Sequence, residues 1–355
     1  MDSVSASDRP TATDGVAAAR PAPRTPGLIR LVVALGVVLL VQGLFVVSYV
    51  GALHKPQPHN LPFGVVGAPA AGLAAAVDKQ LSLRTTTYTD APAATRAIDR
   101  RSIYGALITG PSGTRLFVAP AASNGAAIAL TTAFTKVAAA GGQKLTVVQV
   151  HPLADGDRVG IVPFLVVMAL VVGGYLSATI ATSVGGAAAI RRHAPVLAVV
   201  AVIGALATYL IAGPLLGGIP SGHFLELWGI FTFLMLAVAF AAAALQILFG
   251  TIGTLIVVVA FVVFGAPAAG GSVARPFLPS FWGTIGPFLP PGAGTTAVRN
   301  TIYFDGNGIG KALIVLAAYL VAGAVVVFGI RRRAPQPTDA DTDIETAAGA
   351  AAVVV

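Results

Sequence analysis

The sequence contains no cysteine. Disulfides, thiolate metal ligands and cysteine nucleophiles are excluded with it. Charge is almost as scarce, at 10% of residues, against roughly 25% in a soluble domain. A chain so poor in charge cannot cover a water-facing surface with polar groups. Also missing is a G-x-x-x-x-G-K-[ST] phosphate loop, so ATP hydrolysis by that route is not expected. The nearest approach, TGPSGTRLF at residues 109–117, lacks the pattern and reads as a hairpin turn. The five histidines (His54, His59, His151, His193 and His223) are scattered, without metal-ligand spacing. No nucleophile stands with a base. An enzyme, a cofactor and a metal are therefore not expected.

What the chain does have is apolar residues, 56% of the total, gathered in long runs. That composition predicts an integral membrane protein in contact with a lipid bilayer. The net charge of +8 does not point to nucleic acid, because no basic cluster is interleaved with aromatics on a polar background. Several basic residues instead flank apolar runs, where they orient a membrane protein.

Residues 1–27 are small, polar and proline-bearing and predict a disordered cytoplasmic N-terminus. Residues 28–53 form a first run long enough to span hydrocarbon. A cleaved signal peptide is the alternative, but the run exceeds the usual length and no A-x-A site follows it. Residues 54–160 differ: short apolar strands alternate with small helices in the order β-α-β-α-β-β-α-β, an inserted α/β domain. Residues 161–330 hold five more runs, at 161–183, 195–211, 224–245, 251–269 and 309–330. Residues 331–355 predict a disordered cytoplasmic tail. The fold class expected is an α-helical polytopic membrane protein of six transmembrane helices with an extracytoplasmic α/β domain.

Basic residues in short flanks belong on the cytoplasmic side. They sit at Arg20, Arg24 and Arg30, at Arg191 and Arg192, and at Arg331, Arg332 and Arg333. With six spans all three groups fall on one side. This predicts a multi-pass protein of the cell membrane with both termini cytoplasmic.

Polar candidates inside this frame are few. His223 and Glu226, three apart at the head of the fourth span, share a helix face. They read either as a pair lining a path or as an interfacial pair beside Trp228. Asp155 and Asp157, in HPLADGDRVG, could mimic a paired acid but read rather as a solvated turn joining the domain to the second span. The segment GGAAAIRRH at residues 185–193 reads as simple topogenic charge or as a docking helix for a cytoplasmic partner. Small residues in and beside the spans, such as Gly173, Gly174 and the stretch 237–244, suit close helix packing or a dimer face. No span has a Lys, Arg, Asp or Glu at its centre, which argues against a proton-coupled carrier.

The stretch RPFLPSFWGTIGPFLPPGAGTTAVRN at residues 275–300 is apolar yet carries five prolines. It cannot be a seventh spanning helix. It predicts short broken helices forming an interfacial or partly re-entrant outer cap within residues 272–308. Phe277, Phe281, Trp282 and Phe288 would sit at headgroup depth, with Pro287, Pro290 and Pro291 among the breaks.

FLPSFWGTIGPFLPPGAGTTAVRNTIYFDG, at residues 277–306, resembles the segment before the last span of the type-2 ABC transporter permease superfamily. The resemblance is to its phage-infection-protein branch. LPFGVVGAP at residues 61–69 and the domain-to-membrane junction at residues 148–176 resemble that branch too. The resemblance implies six spans, an external domain, and a permease that works as a homodimer or heterodimer with a separate cytoplasmic ATPase subunit. Carried over, Ile190, Arg191, Arg192 and His193 would form the coupling segment. The function expected is the permease subunit of a type-2 ABC exporter moving a lipophilic or polymeric substrate outward. The alternative is a non-transporting membrane receptor or secretion-complex scaffold acting through the external domain.

Overall fold

The computed structural model describes residues 27–329, apart from Lys55, Ser112 and Ser272. The tails and the arginines at 20, 24 and 331–333 lie outside the described residues. Helix α1 covers Gly27–Leu53. Its first part, to Gly43, is a unit by itself whose large aliphatics are exposed. From Leu44 onward the chain is one compact unit.

The α/β part follows. Strand β1 (Leu61–Val66), helix α2 (Ala68–Leu81), β2 (Leu83–Thr87), α3 (Ala91–Asp99), β3 (Gly105–Gly110), β4 (Gly113–Val118), α4 (Asn124–Ala140) and β5 (Leu145–Gln149) succeed one another in the order the sequence predicts. The sheet order is β2-β1-β3-β4-β5, parallel except for the β3–β4 hairpin. The continuous apolar run of β1 suits a central strand covered on both faces. Helix starts are capped: Asp90 accepts from Ala93 N at 2.7 Å before α3, and Ser123 from Ala126 N at 3.2 Å before α4. Helices α2 and α4 cover one face, where Phe63 stacks on Phe134 at 4.9 Å. Helix α3 covers the other.

Helix α5 runs over 49 residues, Val162–Leu210, with Pro195 inside it. At 1.5 Å per residue a rod of that length would reach about 73 Å. It is not a rod. A Cβ added at Gly173 or at Gly204 would lie 3.2 Å from the same atom, Met235 Cε. His193 Nδ1 also donates to Ala181 O at 3.3 Å. The helix doubles back between Ala181 and His193, leaving two antiparallel arms. The second arm ends in a wide π-helical stretch, Ile211–Leu215, that accommodates Pro214.

Helix α6 (Phe224–Phe249) is the axis of the bundle. Of its most apolar window 78% is buried, against 22% for the last helix, α11 (Gly310–Gly329). Between them α7 (Thr251–Val257), a π-helical Val258–Phe264 and α8 (Gly265–Ala268) make one apolar helix. Close backbone approach needs glycine at several contacts, two of them between long helices. A Cβ at Gly174 would lie 2.8 Å from Met235 O, and one at Gly323 would lie 2.5 Å from Phe240 C. Among the described residues six helices, counted with the two arms of α5 separately, are long and apolar enough to cross a membrane. Several turn large aliphatics outward, among them Ile203, Ile314 and Val325, a surface suited to lipid rather than water.

The proline-rich stretch folds as short pieces: a 3-10 turn Arg275–Phe277, α9 (Ser280–Ile285), a 3-10 turn Gly286–Phe288, and α10 (Pro290–Tyr303). The breaks fall at prolines, as expected. Helix α10, however, is no surface ledge. Twelve of its residues are buried, from Pro290 to Ile302, and it packs against α5, α6 and α11. Pro290 and Pro291 open this helix at positions whose N–H groups need no intrahelical partner.

The two ends of this stretch also grip the sheet. Phe277 enters the α2/α4 core and Phe304 the α3 core, while His59 N donates to Pro276 O at 2.6 Å.

Candidate functional site

The densest buried polar chemistry lies where the sheet meets the bundle. Asp157 closes a single 3-10 turn (Asp155–Asp157) just before α5. A helix start leaves backbone N–H groups unpaired. Asp157 Oδ1 accepts two of them, from Ile161 at 2.8 Å and Val162 at 3.1 Å. Tyr303 OH donates to Oδ2 at 3.3 Å. Asp157 is 3% exposed. The expectation of a solvated turn therefore holds for Asp155, which is exposed, and fails for Asp157, whose carboxylate is consumed by capping.

Arg299 projects from α10 and is 5% exposed. Its Nη2 donates to Gly160 O at 2.7 Å and Gly271 O at 2.6 Å, tying α10 to the start of α5 and to the loop after α8. Burial pulls its pKa below the usual arginine range, and the Asp157 carboxylate pushes it back up. Tyr303 is driven the other way. Burial first, then Asp157, raises its phenol to about 12.

Arg101 arrives from the sheet side, just after α3. Its Nη1 donates to Asn300 Oδ1, and Asn300 Nδ2 in turn donates to Asn307 O. Its guanidinium lies 5.6 Å from the centre of the Phe304 ring. His151 packs on the same ring at 4.5 Å and donates from Nε2 to Asp99 at 2.8 Å. Arg101, His151 and Asp305 all have left-handed backbones, with φ of 55°, 51° and 49°. Such residues cost about 1–3 kcal/mol each. Three of them around one aromatic ring mean that the packing there is tight enough to hold them. Burial lowers Arg101 to about 10. Tyr104 opposes this, and Arg299 and Arg275 add to it.

A cavity of about 20 Å³ opens among these groups, lined by Arg101, Tyr104, Arg275, Thr295, Thr296 and Arg299. Arg275 is exposed at its edge and donates to Thr296 Oγ1 at 3.0 Å. Neither Arg101 nor Arg299 has a carboxylate oxygen within 4 Å among the described residues.

The residues singled out from sequence lie elsewhere. Ile190 is buried in the bundle, and Arg191 Nε donates to Val327 O at 3.2 Å, near the end of α11. His193 folds back onto Ala181, and Arg192 is exposed. His223 Nδ1 donates to Glu226 at 2.9 Å, so that pair forms, on the exposed head of α6. Phe281 and Phe288 face outward, whereas Trp282 is 7% exposed and stacks on Phe264 at 5.5 Å. Pro287 is half-buried between them. The expected row of four headgroup-level aromatics is thus two inward and two outward, because Phe277 and Trp282 have cores within reach.

A second polar group lies near the reversal of α5. Gln246, buried in α6, accepts from Thr182 at 2.9 Å and donates to Thr179 at 2.8 Å and Thr254 at 3.1 Å. It borders a cleft of about 440 Å³. Among the described residues no cluster of three His, Asp or Glu side chains could hold a metal. Comparisons with known protein families, curated proteins and solved structures return no match.

Arg101, Arg299 and Asn300 are not singled out by the sequence, and Asp157 is read there with Asp155 as part of a turn. One signal was available: Arg299 and Asn300 interrupt an otherwise apolar, small-residue helix.

Proposed function

We propose that the chain is the permease subunit of a type-2 ABC exporter, inserted in the cell membrane with both termini cytoplasmic and the sheet domain outside. The observation that carries this reading is α10. A short proline-initiated helix, buried among long apolar helices just before the last of them, suits a protein whose outer end must remodel. Its approach through residues 275–289 is broken into short turns that leave Phe281 and Phe288 exposed. The charge distribution supports the orientation. Arg191 reaches Val327, so the α5 reversal and the end of α11 share one end of the bundle, and Asp157 and Tyr303 mark the other. Two copies and a separate ATPase would complete the machine, and a lipophilic or polymeric substrate would leave beneath the residues before α10. The test is co-purification from native membranes. An ATP-binding subunit should accompany the tagged chain and stimulate export; its absence under mild solubilisation would sink the assignment.

A second reading is favoured by one observation. At the reversal of α5, Ile190 is buried and Arg191 and His193 are hydrogen-bonded within the bundle. A receptor or scaffold working through its sheet domain needs no ATPase contact there. Arg192→Glu separates the two. It should abolish ATPase-coupled export and leave a receptor unaffected.

A further inference from the structure

We propose that the cavity between the sheet and α10 is an oxyanion site that takes a phosphate group. Three guanidinium groups, from Arg101, Arg275 and Arg299, converge on it. Like charges brought together repel; Asp157 offsets Arg299 only in part, and no carboxylate oxygen lies within 4 Å of Arg101 or Arg299 among the described residues. Arg101 makes the need specific. Its Nε is sealed from solvent and has no hydrogen-bond partner, and its Nη2 has only a 3.5 Å contact with Ala122 O. These two N–H groups form the edge of a guanidinium that grips two oxygens of one anion. A buried, unpaired charged donor is costly, and an anion held in the cavity that Arg101 lines offsets its charge.

Size and charge narrow the ligand. In this measure a water needs about 10–15 Å³, so some 20 Å³ admits one or two oxygens and no large organic anion whole. The rest of the group must sit at the rim, where Arg275 is exposed. A spherical halide would fit but matches the two-pronged edge poorly. A carboxylate supplies one negative charge, whereas a phosphate can supply up to about two, the better match to three cations. Thr295 and Thr296 spend their hydroxyl protons on Pro291 O and Gly292 O, leaving the arginines and Tyr104 as donors to the ligand.

The same phosphate chemistry could come from the surrounding water or from a lipid headgroup. The full chain in phosphate-free detergent is titrated with inorganic phosphate at fixed ionic strength, and unfolding is followed by tryptophan fluorescence. The expected result is a saturable rise in melting temperature that chloride does not reproduce. Arg101→Gln should weaken it at least about tenfold, and Arg84→Gln, an exposed arginine on β2, should not change it. Should Arg101→Gln fail to fold, Arg275→Gln at the rim carries the same expectation. Repeating the titration in phosphatidylglycerol nanodiscs separates the sources. A vanished response means the headgroup already fills the site; a retained one means soluble phosphate. An equal shift with chloride, or full phosphate response in both arginine variants, overturns the proposal.

Discussion

Removing the Asp157 carboxylate tests how the sheet-facing end of the bundle is held. The side chain has two separable jobs. As a cap it accepts from the backbone N–H groups of Ile161 and Val162 at the start of α5, and loss of a cap costs about 1 kcal/mol. As a charge it offsets buried Arg299 and accepts from Tyr303. Losing a charged hydrogen-bonding partner costs about 1.5–3 kcal/mol. Asp157→Ala should therefore lose about 3 kcal/mol and Asp157→Asn, which keeps a carbonyl oxygen for the cap, about 2. For a chain this long each kcal/mol is worth about 2–4 °C, so the alanine variant should melt about 6–12 °C below wild type and the asparagine variant between them. The assay is thermal unfolding in detergent at one scan rate, because irreversible melting depends on it. Arg299→Gln completes a double-mutant cycle, in which a coupling on the order of 1 kcal/mol is expected. An alanine variant within about 1 °C of wild type, or a cycle that sums to zero, refutes the account of Asp157 as cap and counter-charge.

Two further outcomes follow from geometry. Gly323→Leu forces a side chain onto the Phe240 backbone and should cost about 1–3 kcal/mol by overpacking, read as a lower melting temperature, with Gly310→Leu, which meets nothing within 4 Å, as the neutral control. At alkaline pH the two shifted groups oppose each other. Tyr303, raised to about 12, keeps its proton in the folded state after the unfolded chain has lost it, so its contribution is intact below pH 10 and fades as pH climbs toward 12. Arg101, lowered to about 10, releases its proton first in the folded state, so stability rises with pH from there toward 12.5. Tyr303→Phe should remove the falling component and flatten or reverse the loss above pH 10 in a pH-resolved unfolding series; an unchanged profile would count against it.

The parts that could be read from sequence are those whose cause is local. The unbroken apolar LPFGVV marks β1, the acidic and hydroxyl caps mark α3 and α4, and run length marks the long helices. The prolines at 276, 279, 287, 290 and 291 mark where the late segment breaks. What stayed hidden depends on distant partners. ADGDR has the composition of a turn. Nothing nearby says that Asp157 meets Tyr303, 146 positions away. Arg101 ends an ordinary DRR run, and its partner Asn300 lies 199 positions on. The folding back of α5 was hidden differently, since small helix-forming residues run through the turn between Ala181 and His193 with no break in composition. Nor does the local sequence say that Trp282 stacks on Phe264 or that Phe277 enters the sheet core.

The anchoring of Phe277 and Phe304 in opposite faces of the sheet has a consequence for genetics. A domain that hung from two linkers could be excised like a cassette, and any lost activity blamed on what it recognises. Here excision would strip two phenylalanines of their surroundings and loosen the helix between them, so a silent deletion strain would report collapse as readily as lost recognition. Point changes on the outward surfaces of the sheet domain, which leave both anchors seated, are the informative lesions.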